Sequence, residues 1–228
     1  MSVLIVLMLL FAALIYAPQW WVKQVMRRHA AELPDMPGTG GELAQHLIER
    51  FKLDGIRVEM TEENNDHFDP EAQMVRLSPS NFNGRSLTAV AIAAHEVGHA
   101  IQFHRREPIF ERRARYIPLA IKIQRSGSMA LWLAPLFGLL SRSPVAMLLP
   151  ILISAALHIV GALTYLIVLP EEWDASFEKA LPILEEGYLP PEHLPAARQV
   201  LTAAALTYFA AALSSLLSLG YLLLVLRR

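Results

Sequence analysis

The sequence predicts a mainly α-helical, multi-span transmembrane protein that carries a small α+β part in water. Three observations carry this expectation. The 228 residues are 54% hydrophobic and only 18% charged, too apolar for an ordinary soluble domain. Apolar runs at 3–21, 144–169 and 201–226 reach the roughly 20 residues that a helix needs to cross a bilayer. The stretch 30–125 is polar instead, and shows helical and strand-like periods in turn. A net charge of −1 offers no field for a nucleic acid, so no nucleic-acid partner is expected. The absence of cysteine excludes disulfides, Cys-rich zinc knuckles and a cysteine nucleophile. Any transition-metal site must then use His, Asp and Glu.

The first run, 1–22, reads as an uncleaved transmembrane anchor. No basic residue precedes it, no small-x-small cleavage site follows, and Trp20, Trp21, Lys23, Arg27 and Arg28 suit a membrane interface. Residues 30–126 form the water-facing part. Thr39-Gly40-Gly41-Glu42 is a capping-box pattern, followed by Leu43, Leu47, Ile48 and Phe51 at helical spacing. Asp54-Gly55 stops that helix. Ile56, Val58 and Met60 alternate as a half-buried strand would. Asp66 to Pro70 reads as a polar turn, 74–77 as a short strand and 78–85 as a loop. A second helix is expected from Ser86 to about Arg106, ended by Pro108. Residues 112–125 are basic and interfacial. The pair 128–140 and 144–169 is a transmembrane pair, although 128–140 is short for a span. A charged segment, 170–200, separates it from the C-terminal helix 201–228.

The strongest local signal is His95-Glu96-Val97-Gly98-His99 on the second predicted helix. Positions four apart on a helix differ by about 40° and about 6 Å of rise, so both imidazoles reach one ion. The glutamate between them is placed to take a proton from a metal-bound water, whose pKa zinc lowers towards about 7. The pattern therefore predicts a zincin-like site with Zn2+ on His95 and His99 and with Glu96 as general base. The bland alternative is a buried helix with two incidental histidines. The helical context disfavours it.

A catalytic zinc takes three protein ligands and leaves a position for water. His104 does not fit the longer H-E-x-x-H-x-x-G-x-x-H pattern, because Gln102 and Arg105 stand where Gly and His belong. Leu53-Asp54-Gly55 precedes the His pair and reads as a helix stop. His158 lies mid-span, too far along its helix from Glu172 to share an ion with it, and reads as a packing histidine. Glu171 and Glu172 remain as carboxylates from a later helix. Spacing alone does not separate them from each other, nor from a solvated acidic cap.

The chain resembles the YugP-type membrane zinc metallopeptidases, distantly similar to HtpX-like gluzincins. The likeness rests on Asp66-His67-Phe68-Asp69-Pro70, Val75 to Ser78 with Gly84-Arg85-Ser86, the helix 89–102, Pro170 to Ser176, and Val200 to Tyr208. The resemblance implies His95, His99 and Glu172 as metal ligands and Glu96 as the catalytic residue. It favours Glu172 over Glu171 because the family pattern reads Glu-aromatic-Asp-Ala-Ser, here with Trp173 where Phe is usual. Ser176 stands where HtpX-like enzymes carry an acidic residue that orients a zinc histidine. Asp174 is the expected substitute. His67 is a candidate for steadying an oxyanion, or simply a turn former.

A shared ion puts residues 95, 99 and 172 on one side of the membrane, so the chain must cross an even number of times between them. The basic residues flanking spans on that side, from Lys23 to Arg125, place the site on the cytoplasmic face of a bacterial cell membrane. The expected activity is endopeptidase action on protein or peptide substrates close to membrane lipid. The strand 74–77 is either an edge strand for pairing with an extended peptide or an ordinary internal strand, with equal claim. Two rivals stand beside this expectation. One is a zinc-binding, non-catalytic scaffold, disfavoured by the intact Glu96. The other is an intramembrane protease, disfavoured by Arg85 and His104-Arg105-Arg106 flanking the motif.

Overall fold

The computed structural model describes residues 3–215, and it is mainly helical with one three-stranded sheet. The chain divides into two compact units. One gathers residues 21–111 and 170–207. The other gathers the remaining segments, including 112–169.

The first unit carries the sheet and the long motif helix. Helix α1 (Val3–Arg28) enters it with Arg27 and Arg28 in the last turn, where cations complement the helix dipole. Helix α2 (Gly40–Arg50) begins at the predicted capping box. Thr39 Oγ1 accepts from the Glu42 amide at 3.1 Å, and Glu42 Oε2 accepts from the Thr39 amide at 2.8 Å. Strands β1 (Arg57–Met60), β2 (His67–Asp69) and β3 (Met74–Leu77) follow, in the order β1-β3-β2. β3 pairs parallel with β1 and antiparallel with β2.

One expectation changes here and one open alternative is settled. The polar turn expected at 66–70 contains strand β2, held by buried Phe68 against Phe103 and Phe110 at ring separations of 5.4 and 6.2 Å. The turn itself comes later, where Asp69 Oδ1 accepts the amides of Glu71 and Ala72, each at 3.0 Å. The Ala72 amide, with Glu71 and the Arg76 guanidinium adding to it against partial burial, holds the Asp69 carboxyl below its ordinary value. Second, β3 is the central strand rather than an edge. Both its backbone edges are already taken by β1 and β2, with Val75 and Leu77 fully buried, so it has no free edge for a substrate.

Helix α3 (Pro79–Phe82) is a short turn of helix inside the expected loop. Helix α4 (Leu87–His104) is capped by Ser86, whose hydroxyl accepts from the Ala89 amide at 3.1 Å. Every residue from Leu87 to Gln102 is buried, as befits a helix apolar on nearly all sides. It packs against α2, against α9 (Leu194–Ala205) and against a π-helical stretch, Asp174–Ala180. That stretch continues α7 (Leu169–Trp173) and leads through α8 (Leu181–Ile183) into a second π segment ending near Gly187, at φ +109°.

The second unit contains most of α5 (Pro108–Ser141), all of α6 (Leu148–Leu166) and all but the first residue of α10 (Thr207–Ser215). In α6, Leu149, Leu152, Ile159 and Leu163 are exposed while Ile151, Ser154 and His158 are buried. His158 donates Nδ1–H to the Ser154 carbonyl at 2.8 Å and occupies the space that a Cβ at Gly127 would need, 2.6 Å away. It is a packing histidine, as expected.

One helix among the described residues, Val145–Tyr188, is long and apolar enough to cross a bilayer. Of the expected spans, the described residues support that one. The run 128–140 is only the end of α5, whose basic first half leaves too little apolar length. The run 201–226 is broken after Ala205, and residues 216–228 lie outside the described chain. The expected anchor 1–22 falls in α1, with residues 1–2 likewise outside.

Candidate metal centre

Three buried side chains meet between α4 and α7. Glu172 Oε2 lies 3.3 Å from His95 Nε2 and 3.3 Å from His99 Nε2. The ligand atoms of all three residues fall within 4.8 Å of one another. The two rings stand edge to face, 4.7 Å apart. Relative exposures are 4% for His95, 2% for His99 and 1% for Glu172, so bulk water does not solvate the cluster.

The hydrogen bonds behind the rings decide which nitrogen carries the proton. Ser176 Oγ donates to the Leu201 carbonyl at 3.2 Å, so it can only accept from His95 Nδ1, 3.0 Å away. Gln102 Nε2 donates to the Glu171 carbonyl at 3.0 Å and to Asp174 Oδ2 at 2.7 Å. Its Oε1 therefore faces His99 Nδ1 at 2.9 Å and accepts from it. Glu171 Oε1 lies 3.2 Å from the same nitrogen. Both imidazoles thus donate outward from Nδ1, and their Nε2 atoms face one carboxylate oxygen.

Two imidazole nitrogens and a carboxylate oxygen converging in a buried space would be stabilised by a cation between them. Two donors held at 2.0–2.1 Å from a tetrahedral zinc are about 3.3–3.4 Å apart, which is the spacing found here. The donor types and the two His–Glu separations fit zinc.

Sequence reasoning brought His95, His99 and Glu172 to one point, and the fold puts Glu96 beside them, buried on α4. It misjudged their supports. Ser176 itself contacts His95, because the π-helical turn carries its hydroxyl to the ring. Asp174 contacts Gln102 and Lys179 instead of a histidine. Gln102 was missed as a partner, although the three-residue spacing from His99 puts both on one helix face. His67 is occupied locally, with Nδ1 on the Asn65 carbonyl at 2.7 Å, and His104 is exposed at the end of α4.

Gly98 explains how the two helices come so close. A Cβ there would sit 2.7 Å from the Ala175 carbonyl oxygen, a backbone atom that cannot swing away. Ala175 lies three residues after Glu172 and next to Ser176, so pushing it back moves both of those side chains together. Gly98→Ala is expected to cost about 1–3 kcal/mol, as overpacked cores do. Thermal melting with and without zinc should show a lower midpoint and a smaller zinc-induced rise than in the wild type.

Comparison with known proteins agrees with this chemistry. A family model described as "Putative neutral zinc metallopeptidase" matches residues 4–227. The "Putative membrane protease YugP" of Bacillus subtilis (strain 168) is 33% identical over 205 residues, covering 88% of this chain and 86% of its own length. No solved structure matches the chain. A family match along nearly the whole sequence, ending on a buried His–His–Glu donor set of zinc dimensions, means that the chain belongs to the YugP-type family of neutral zinc metallopeptidases, whose cofactor is Zn2+.

Proposed function

We propose that the chain is a membrane-embedded zinc-dependent endopeptidase in which His95, His99 and Glu172 hold the metal and Glu96 is the general base. The observation that supports this most is the convergence of three buried acceptor atoms beside a glutamate on the same helix. Zinc supplies a Lewis acid and makes hydroxide available near neutral pH. Glu96 takes the proton from the attacking water as its oxygen bonds to the scissile carbonyl carbon. It then returns that proton to the leaving nitrogen as the C–N bond breaks, giving a carboxylate and an amine. His95 and His99 stay fixed throughout, because Ser176 and Gln102 occupy their outer nitrogens.

The same ligand set constrains topology. Residues 99 and 172 share a site, so an odd number of crossings between them is impossible. If α6 spans, α5 must cross or form a re-entrant arm to match it, with Lys122 and Arg125 reaching towards the headgroups. This favours a multi-span chain in which 1–22 anchors, 30–126 and 170–200 build the catalytic part, 128–169 forms the membrane pair and 201–228 a final helix. The basic residues on the catalytic side favour a site on the cytoplasmic face of the cell membrane. Substrates are then protein or peptide segments at or near the lipid surface.

Metal removal tests this reading. Treating the purified, detergent-solubilised protein with a strong chelator should abolish cleavage of an unfolded membrane-protein substrate, and stoichiometric zinc should restore it. Cleavage that survives complete removal of zinc would exclude the mechanism.

A further inference from the structure

We infer that Asp174, although it touches neither histidine, controls zinc affinity by holding the Gln102 carboxamide in the orientation that keeps His99 ready for metal. The inference rests on the ligand set proposed above and adds residues beyond it.

A carboxamide has two nearly isosteric orientations, related by exchange of oxygen and nitrogen. In the observed one, Gln102 Nε2 donates to Asp174 Oδ2 at 2.7 Å and to the Glu171 carbonyl at 3.0 Å. Oε1 then accepts from His99 Nδ1 at 2.9 Å. Exchange would point the NH2 group at His99 Nδ1. That nitrogen would keep its proton only through Glu171 Oε1, 3.2 Å away, and against an opposing NH2 group; otherwise the ring proton moves to Nε2, the atom 3.3 Å from Glu172. A proton there occupies the metal's place. Gln102 is therefore a two-position element, and only one position joins Glu171 in holding the proton on Nδ1 and leaving Nε2 to a metal.

What decides between the positions is the pair of acceptors behind it. Exchange would set the amide oxygen against the Glu171 carbonyl and against the carboxylate of Asp174. The carboxylate is the stronger discriminator, because a hydrogen bond to an ionised acceptor is roughly twice as strong as a neutral one. Asp174 is in turn held by Lys179, whose largely buried ammonium also reaches Glu107 at 3.0 Å. The chain Glu107–Lys179–Asp174–Gln102–His99 runs from α4's end to the metal site through the π-helical turn. It sets a carboxylate behind Gln102, in addition to the Glu171 carboxylate that faces the imidazole itself.

A double-mutant cycle on the full-length protein, read as zinc dissociation constant by chelator competition, tests this. Asp174→Ala should weaken zinc about 10-fold, within the range typical of outer partners. Asp174→Asn, which still offers a carbonyl oxygen to Gln102, should recover most of the loss. Gln102→Leu should weaken zinc about 10–100-fold. In that background Asp174→Ala should cost nothing further. The inference is overturned if the two losses add, if Asp174→Ala binds zinc as the wild type does, or if Asn gives no recovery. Melting of the metal-free variants separates a general loss of fold, which would persist in the Gln102→Leu background and also overturn it. His99→Ala is the control for the underlying ligand set. Undiminished zinc binding there would remove that set, whereas a loss there with wild-type behaviour in Asp174→Ala removes only this inference.

Discussion

Glu96→Gln is expected to retain zinc at wild-type stoichiometry and to lose peptide hydrolysis by at least about 10³-fold, within the range assigned to a positioned proton-transfer group. The substitution keeps the volume and shape of a buried side chain and takes away only its capacity to accept a proton. None of the three proposed ligands changes, and neither do the contacts of Ser176 and Gln102 behind the histidines. Metal content by elemental analysis and turnover on the same preparation must therefore separate. Retained turnover would remove Glu96 from its proposed role, and loss of zinc would mean that its part is structural.

Glu172→Ala should lose zinc by more than the roughly 10–100-fold assigned to outer partners, since it deletes the one anionic donor of the cluster. Glu171→Ala provides the contrast. Both carboxylates are fully buried and adjacent in sequence, but consecutive helical positions differ by about 100°. Accordingly, Glu172 Oε2 reaches the two Nε2 atoms while Glu171 Oε1 lies behind His99, 3.2 Å from Nδ1. Glu171→Ala leaves the backbone carbonyl that Gln102 uses in place, so its zinc affinity should fall by 10-fold or less on the outer-partner scale. Equilibrium dialysis of the two variants reads the difference. A reversal of the order would assign the third ligand to Glu171.

The local features of the fold were readable because their determinants are local. Thr39 and Glu42 announce α2, and Ser86 and Pro108 bracket α4, through contacts made within one turn. β2 escaped notice because three residues are too few to show alternation, and its strand character comes from pairing with β3. For the same reason the pattern Met74-Val75-Arg76-Leu77 says which face is buried and nothing about its place in the sheet. That place depends on where β1 and β2 lie.

The site divides in the same way. The histidine pair needs only helical spacing, whereas its carboxylate arrives from 73 positions away and needed a family resemblance to be chosen. The π-helical geometry after Glu172 has no signature in composition. Without it the contact of Ser176 with His95 had no visible cause, and Asp174 was the natural guess. Gln102 was within reach of the rule that residues three apart share a helix face.

The distance along the chain between donors has a consequence for biosynthesis. A ribosome delivers the two imidazoles and Glu96 at least 73 positions before the carboxylate that completes the proposed cage. A nascent polypeptide holding only the earlier part has two donors and no third, and so stays inert towards neighbours emerging beside it. For the proposed peptidase, the cage can close only after the whole of 112–169 has been translated, which would make the order of synthesis itself a safeguard.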